Sequence, residues 1–292
     1  MAQILNREIA ARFDEVAQLL AEQDASVYRV EAYKRAAETL RGLSRPVADI
    51  LREENLAGLE RLPAIGPILA RAIRSLVETG RLPMLDRLRG EADAVSLLAS
   101  VPGIGTGLAG QLHHELGVDS LEALEAAAYD GRLEGMPWIG EKRLAAIRDS
   151  LARRLARVRA ERGPAEDEAQ PAIRELLDVD REYRRRAADG SLRTIAPRRF
   201  NPRHDAWLPI LHTQRGGRDY TALFSNTQRA HELGRTRDWV VLYVDGTAGE
   251  RRYTVVTAPR GIMKGRRIVR GREAECLQHY KKRGLRVPVY VG

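Results

Sequence analysis

The stretch Val101-Pro102-Gly103-Ile104-Gly105 decides the fold of the first half of this chain, because related stretches occur on both sides of it. The earlier copy is Leu62-Pro63-Ala64-Ile65-Gly66, and a weaker, later copy is Met136-Pro137-Trp138-Ile139-Gly140. Their final glycines are 39 and 35 residues apart, and recurrence at such a period indicates a repeated supersecondary unit. Each copy leads into an Ala- and Leu-containing run that favours a helix.

Each residue type in the repeated stretch has a physical role. Proline ends the preceding helix, glycine permits a positive φ and leaves the backbone bare, and the isoleucine fills the core. The next helix then begins with free N–H groups, which form a ready anion site. The pattern is that of the helix-hairpin-helix motif, which the second copy matches fully. Ala64 replaces the first glycine in the first copy, and Trp138 in the third copy predicts a structural role there.

Such corners can hold a phosphate through backbone donors without reading bases. The sequence therefore predicts DNA as the partner, with these hairpin residues in contact with it: Gly66, Arg71, Gly103, Gly105, Thr106, Gly107 and Lys142. No cofactor is expected, although a hairpin can hold a monovalent cation. The alternative is three helical corners that bind no ligand.

Residues 4–155 resemble the N-terminal region of family X DNA polymerases, closest to the bacterial type and more distantly the lyase domain of DNA polymerase beta. The resemblance is carried by Phe13 in the opening amphipathic helix, by Tyr28 to Ala37, by Glu78 to Leu82 and by the first two corners. It implies binding of gapped or nicked duplex DNA. It also implies a pocket for a 5′-phosphate lined by Tyr28, Arg29, Tyr33, Lys34 and Arg35.

Two departures limit that resemblance. Ala72 occupies the position of the lysine that forms a Schiff base in the polymerase beta type, and the neighbouring basic position is Ile68. Because that lyase chemistry needs an amine, we do not expect it here. The Gly-Ser-x-x-Arg loop of the polymerases does not occur after residue 155. The closely spaced carboxylates there, Glu166-Asp167-Glu168 and Asp178 with Asp180, lie in the segment that is predicted as a linker, so polymerase activity is not expected either.

Residue patterns divide the chain into three parts and predict a multidomain fold. Residues 1–155 read as an all-α helix-hairpin-helix domain, and residues 156–192 as a charged linker with one short helix. Residues 193–292 alternate short β-branched or aromatic runs with turn residues and predict a smaller α+β domain. Within the linker, the charged run Asp180 to Arg186 predicts an exposed face.

Charge and composition narrow the functional class. Residues 1–155 carry 20 Lys+Arg against 23 Asp+Glu, whereas residues 193–292 carry 21 against 8. A basic domain of this kind favours a polyanionic partner. The single cysteine, Cys276, excludes an internal disulfide framework, and the sequence contains no apolar run long enough to cross a bilayer. The opening residues also lack the order of a secretory signal, so a cytoplasmic, nucleoid-associated protein without a membrane partner is expected.

The basic C-terminal part predicts phosphate contacts by Arg267, Arg270 and Arg272, with Arg251, Arg252 and Arg266 as further candidates. Its aromatic residues could stack on bases, although aromatics on short strands more often pack in the core. A nuclease would require metal ligands, for which these residues have suitable atoms: His212, His231, Asp238 and Asp245.

These patterns together predict a structure-selective DNA-binding protein of DNA repair or DNA-end processing, which holds gapped, nicked or broken DNA. One alternative is a DNA nuclease or lyase whose active site lies in the C-terminal domain. A second alternative is a scaffold that contacts other proteins and retains its hairpins as relics. The sequence assigns no catalytic residue and no protein partner.

Overall fold

The computed structural model describes residues 5–90, 94–116, 118, 121–129, 131–134, 136, 138–160, 170–246 and 249–284. The chain forms two compact units. The first unit contains residues 1–91, 168–226 and 234–292, and the second contains residues 92–167 and 227–233. None of the helices in the described residues is both long and apolar enough to cross a membrane.

Five helices form the N-terminal part of the first unit: α1 (Asn6–Glu22), α2 (Val27–Gly42), α3 (Val47–Glu60), α4 (Pro67–Thr79) and α5 (Pro83–Leu88). Apolar residues at helical spacing, such as Ile9, Phe13 and Leu20, give α1 its buried face. Ser26 caps α2 by accepting a hydrogen bond from the Arg29 amide at 3.3 Å. Tyr33 of α2 packs edge-to-face on Phe13, which locks the first two helices together.

The rest of the first unit is a six-stranded antiparallel sheet in which every strand pairs with the next one along the chain. The strands are β1 (Arg193–Ile195), β2 (Leu208–Arg215), β3 (Arg218–Phe224), β4 (Val240–Val244), β5 (Arg251–Thr257) and β6 (Arg267–Val269). Two helices accompany the sheet, α10 (Ile173–Ala188) and α12 (Glu273–Lys282). The predicted combination of an all-α part with a sheet-containing part is therefore confirmed.

The sheet is the middle layer of the first unit. On one face, Leu176, Val179 and Tyr183 of α10 share a core with residues of β3, β4 and β5. On the other face, Leu208 and Ile210 share a core with the N-terminal helices. A sheet that is apolar on both faces needs cover on both, and α10 and the N-terminal helices supply it. The first unit therefore joins residues from before position 155 with residues from after position 193, which the predicted domain boundaries separate.

The segment predicted as a linker contains one of the principal helices of the first unit. Helix α10 spans 16 residues, and the charged run beginning at Asp180 is not simply an exposed face. Asp180 is 1% exposed and Tyr183 is fully buried, because both project from α10 onto the sheet. A charge run can hide such residues, since one face of a helix is buried while the other carries arginines.

The second unit contains α6 (Ala94–Ala99), α7 (Thr106–Leu116), α8 (Leu121–Tyr129), α9 (Glu141–Ala160) and α11 (Gln228–Glu232). Helix α6 packs on α7, and α8 packs on α9, so the second and third repeats form a tandem of helical hairpins. Their shared core includes Val101, Ile104, Ile139 and Leu144. The first repeat, which joins α3 to α4, belongs to the first unit.

Candidate nucleic-acid interface

The three repeated corners have the same backbone hydrogen bonds. The amide of the isoleucine donates to the first residue of the stretch in each copy: Ile65 to Leu62 at 3.2 Å, Ile104 to Val101 at 3.0 Å, and Ile139 to Met136 at 3.0 Å. The carbonyl of the final glycine accepts from the following helix in each copy, from Ala70, Ala109 and Leu144. The repeated sequence therefore encodes one repeated backbone shape.

Each corner is anchored from the inside and open on the outside. The isoleucines at 65, 104 and 139 are 3%, 3% and 6% exposed, so each fills its core as predicted. The glycines that follow them, Gly66, Gly105 and Gly140, are all exposed. The backbone of each corner is therefore accessible from solvent.

Most of the corner glycines are not required by the packing of the chain. A Cβ atom added to Gly66, Gly105 or Gly107 would meet no atom within 4 Å, and none of these residues has a positive φ. Gly103 differs, since its φ of +89° favours glycine. Ala64 occupies the equivalent place in the first corner with a φ of +60°, which is a strained conformation for alanine.

The electrostatics of the helix N-termini separate the first two corners from the third. Helices α4 and α7 have no acidic residue in their first turn, whereas α9 begins with Glu141. A carboxylate at a helix N-terminus already balances the positive end of the helix dipole. The third corner is therefore a poorer anion site, although Lys142 is exposed beside it. Arg71 donates to the Pro67 carbonyl at 3.1 Å, which places its guanidinium at the start of α4.

The predicted 5′-phosphate pocket on α2 does not form as expected. Tyr28 is 89% exposed, and Lys34 and Arg35 are also exposed, so these three side chains are accessible. Arg29 and Tyr33 are only 8% and 4% exposed, because the side of α2 that carries them faces the interior of the first unit. The expectation that these two residues line an open pocket is therefore corrected.

Arg29 lies in a buried polar cluster formed by α1, α2 and the sheet. Its Nη2 atom donates to Asp245 Oδ2 at 2.5 Å, and its Nη1 atom lies 3.4 Å from Thr221 Oγ1. His212 Nδ1 lies 3.1 Å from the same Thr221 hydroxyl, and His212 Nε2 lies 3.1 Å from Gln23 Oε1. Burial, together with the nearby arginines, holds the pKa of His212 well below its ordinary value, so the ring is neutral at pH 7.

Arg87 is a second buried cation, and its contacts join α5 to the sheet. Arg87 is 3% exposed and forms a bidentate ion pair with Glu250. Its guanidinium also lies 3.8 Å from the centre of the Tyr243 ring. Sequence reasoning missed Arg87, Glu250 and Gln23, because nothing in their local sequence distinguishes them from surface residues.

Two of the three predicted C-terminal phosphate contacts are internal. Arg267 bonds Asp180 through Nη2 at 2.6 Å and Asp238 through Nη1 at 2.6 Å, so its guanidinium is neutralised within the fold. Arg272 pairs with Glu275 and donates to the Pro171 carbonyl at 2.7 Å. Arg270 is exposed and stacks 3.9 Å from the centre of the Trp239 ring. The assignment of Arg267 and Arg272 as DNA contacts is corrected accordingly.

The side chains considered for a nuclease metal site are not gathered at one place. His212 and Asp245 share the Arg29 guanidinium, whereas Asp238 accepts from Arg267 and Thr257. His231 belongs to the second unit. Among the residues that the structure describes, no group of three His, Cys, Asp or Glu is placed to hold a metal ion.

Comparison with known families agrees with the geometry of the corners. A family model described as a helix-hairpin-helix domain matches residues 4–82, and one described as a SAM-like helix-hairpin-helix tandem matches residues 95–153. Helix-hairpin-helix domains commonly bind nucleic acid, which is consistent with DNA as a partner. No curated protein matches the chain. Neither description names family X DNA polymerases, so that finer assignment stays a prediction.

Proposed function

We propose that this protein binds DNA in a structure-selective manner and acts in DNA repair or DNA-end processing. The first two helix-hairpin-helix corners hold the sugar-phosphate backbone through their amides. The contacts proposed for them are made by Gly66, Arg71, Gly103, Gly105, Thr106 and Gly107, with Lys142 at the third corner.

The observation that carries the proposal is the open space at Gly66 and Gly105. Each residue is exposed, precedes a helix without acidic residues in its first turn, and has room for a side chain. Ser, Asp or Asn would cap these helices at least as well as glycine. A bare backbone at both places is explained if an external anion approaches the amides closely.

Gapped or nicked duplex is the proposed DNA structure. The resemblance of residues 4–155 to the N-terminal region of family X DNA polymerases, which implies binding of gapped or nicked duplex, supports this choice. The exposed Tyr28, Lys34 and Arg35 on α2 supply an aromatic ring and two cations that suit an unpaired end and its phosphate. Arg29 and Tyr33 have no part in this proposal, because they are buried.

Binding measurements on matched DNA substrates test the structural preference. The full chain is titrated against gapped, nicked, intact blunt-ended and single-stranded DNA of one sequence at a fixed salt concentration. We expect the gapped and nicked duplexes to bind tightest. Equal affinity for all four substrates would remove the structure-selective part of the proposal, and no binding at modest salt would remove the proposal itself.

Aspartate substitutions test the role of the corner amides. Gly66→Asp and Gly105→Asp provide a good cap and a favourable charge at the helix N-terminus, so each should raise the free energy of unfolding by about 0.5 kcal/mol. The same carboxylate repels phosphate, so affinity for gapped DNA should fall about tenfold or more. Gly140→Asp provides the comparison, since α9 already begins with Glu141 and only Lys142 is proposed to contact DNA there, so it should weaken binding much less than the other two substitutions.

A further inference from the structure

One end of the six-stranded sheet concentrates positive charge. Because the strands run antiparallel in chain order, the β1–β2, β3–β4 and β5–β6 connections emerge at the same end. We define the basic loop end as residues 196–207, 234–239 and 258–266, which together contain eight Lys+Arg and two Asp+Glu. The connections at the opposite end, residues 216–217 and 245–250, contain two acidic residues and no Lys or Arg.

The cations of the basic loop end are directed to solvent. Seven of the eight are exposed: Arg198, Arg203, Arg235, Arg237, Arg260, Lys264 and Arg266. Arginines near the opposite end are used differently, since Arg215 pairs with Asp178 and Glu182 of α10, and Arg218 pairs with Glu175. Arg203 and Arg235 of the basic loop end also form ion pairs, with Asp205 at 3.2 Å and with Asp238 at 3.9 Å. The basic loop end therefore differs from the opposite end in its number of exposed cations, while α10 neutralises Arg215 and Arg218.

The loops that carry these cations are ordered by hydrogen bonds. In the β5–β6 loop, the Gly265 amide donates to the Ala258 carbonyl at 2.9 Å, and the Ala258 amide donates to the Arg266 carbonyl at 2.9 Å. In the β1–β2 loop, the Asn201 side chain bonds both the amide and the carbonyl of Asp205. Fixed loops lose less conformational entropy on binding than mobile ones.

Helix α12 adds cations beside the β5–β6 loop. The Tyr280 hydroxyl donates to the Arg267 carbonyl at 2.7 Å, and the Arg266 guanidinium lies 4.9 Å from the centre of the Tyr280 ring. These contacts place the C-terminal end of α12 at the start of β6. The last three charged residues there, Lys281, Lys282 and Arg283, are all exposed.

We infer that the basic loop end is a second DNA-binding surface, which contacts the phosphates of the duplex flanking the site held by the hairpins. This inference rests on the proposed function. Six strands at about 4.8 Å spacing make the loop end of the sheet about 24 Å wide, and a duplex of that length presents about 14 phosphate charges. Phe200 and Ile262, at 44% and 37% exposure, add apolar surface among the cations that can lie against the sugars. Contacts of this kind raise affinity without reading sequence.

The test is the salt dependence of binding by the full chain. The triple variant Arg260→Gln/Lys264→Gln/Arg266→Gln removes three charges from the basic loop end. The matched control Arg174→Gln/Arg184→Gln/Arg185→Gln removes three exposed charges from α10. Each phosphate contact contributes about 0.9 to the slope of log K against log salt. We expect the loop variant to reduce the slope by about 2 to 3 and to bind gapped DNA at least tenfold more weakly, with the control close to wild type.

An unchanged slope for the loop variant, or an equal reduction in the α10 control, would overturn the inference. Thermal unfolding of both triple variants verifies that the fold is kept, since all six residues are exposed. Comparison with Gly105→Asp separates the two proposals. If Gly105→Asp loses affinity and the loop variant does not, only the second surface fails. If the loop variant alone loses affinity, the hairpin proposal fails and the second surface stands. Absence of DNA binding by the wild-type chain overturns both.

Discussion

Arg29 of α2 and Asp245 at the end of β4 form an ion pair in which Nη2 and Oδ2 lie 2.5 Å apart, with side chains only 6% and 11% exposed. The pair joins residues separated by 216 positions in the chain. It ties the N-terminal helices to the sheet within the first unit and removes Arg29 from the surface that was expected to bind a phosphate. Arg29, although arginine is suited to binding phosphate, thus stabilises the fold instead.

Breaking this pair should destabilise the protein strongly. Asp245→Ala leaves a buried guanidinium without its carboxylate, and removal of one partner from a buried ion pair costs roughly 3–5 kcal/mol. The free energy of unfolding from urea titration measures the loss. In the double variant Arg29→Met/Asp245→Ala no charge is left unpaired, so a good part of the stability should return.

The exposed pair between Arg52 and Asp49 on α3 serves as the control for that measurement. Its side chains are 65% and 30% exposed, and exposed pairs contribute about 0–1 kcal/mol. Arg52→Met should therefore change stability very little. A loss for Asp245→Ala no larger than the loss for Arg52→Met would show that the buried cluster does not hold the N-terminal helices and the sheet together.

Ala64→Gly should stabilise the first corner. Alanine at a φ of +60° carries a conformational cost of about 1–2 kcal/mol, which glycine avoids at the expense of a more flexible unfolded chain. We expect a net gain of roughly 0.5–1 kcal/mol in the free energy of unfolding of the first unit. The reverse substitution is Gly103→Ala. Because Gly103 has a φ of +89°, we expect this substitution to lower the free energy of unfolding by a similar or larger amount. A gain from both substitutions would contradict the shared geometry of the corners.

Arg267→Met should reduce stability rather than DNA binding. The guanidinium neutralises Asp180, which is 1% exposed, and burial already raises the pKa of that carboxyl. Leaving Asp180 without its partner should cost roughly 3 kcal/mol or more, measured by urea titration. At a temperature where the variant remains folded, its affinity for gapped DNA should equal that of the wild type. A weaker affinity with unchanged stability would restore Arg267 as a DNA contact.

The buried imidazole of His212 predicts a loss of stability in mild acid. Burial and the neighbouring Arg29 and Arg87 depress its pKa below the ordinary value of 6.5, so the unfolded chain takes up this proton first. Stability should therefore be intact above pH 6.5 and should fall as the pH drops below it, by at most about 1.4 kcal/mol per pH unit. Urea titrations between pH 7.5 and about 5 measure the trend.

His212→Gln isolates this contribution from that of the other ionisable groups. The variant should show a shallower decline below pH 6.5 than the wild type, even if it is less stable at every pH. The exposed His204 provides the comparison, and His204→Gln should keep the wild-type decline. Parallel curves for wild type and His212→Gln would show that this histidine does not control acid stability.

The sequence predicted much of the secondary structure because the relevant signals are local. The short β-branched or aromatic runs that predict an α+β domain after residue 193 correspond to strands β2 through β6. Strand β1 was missed because three residues give too short an alternation to detect. Helix α3 contains a kink at Asn55, whose φ of 55° and ψ of −156° no local pattern indicates.

The exposure of the corner residues follows from the local motif, whereas their contact with DNA stays a prediction. The corner glycines lie on the surface because the turn between two helices projects away from their shared core. Arg29, Tyr33 and Arg267 were misassigned because basic and aromatic residues serve equally well as phosphate contacts and as buried partners. Their side chains meet carboxylates or core atoms from distant parts of the chain, which a single sequence does not locate.

The sequence by itself determined the repeated corner, the periodicity of the helices and strands, and the excess of positive charge in the last hundred residues. Each of these depends on residues within one or two turns of one another. Only the tertiary structure decided which arginines are exposed and which are buried in ion pairs. The antiparallel order of the strands brings three separate loops to one end of the sheet, while ion pairs between distant residues bury the cations that looked most available.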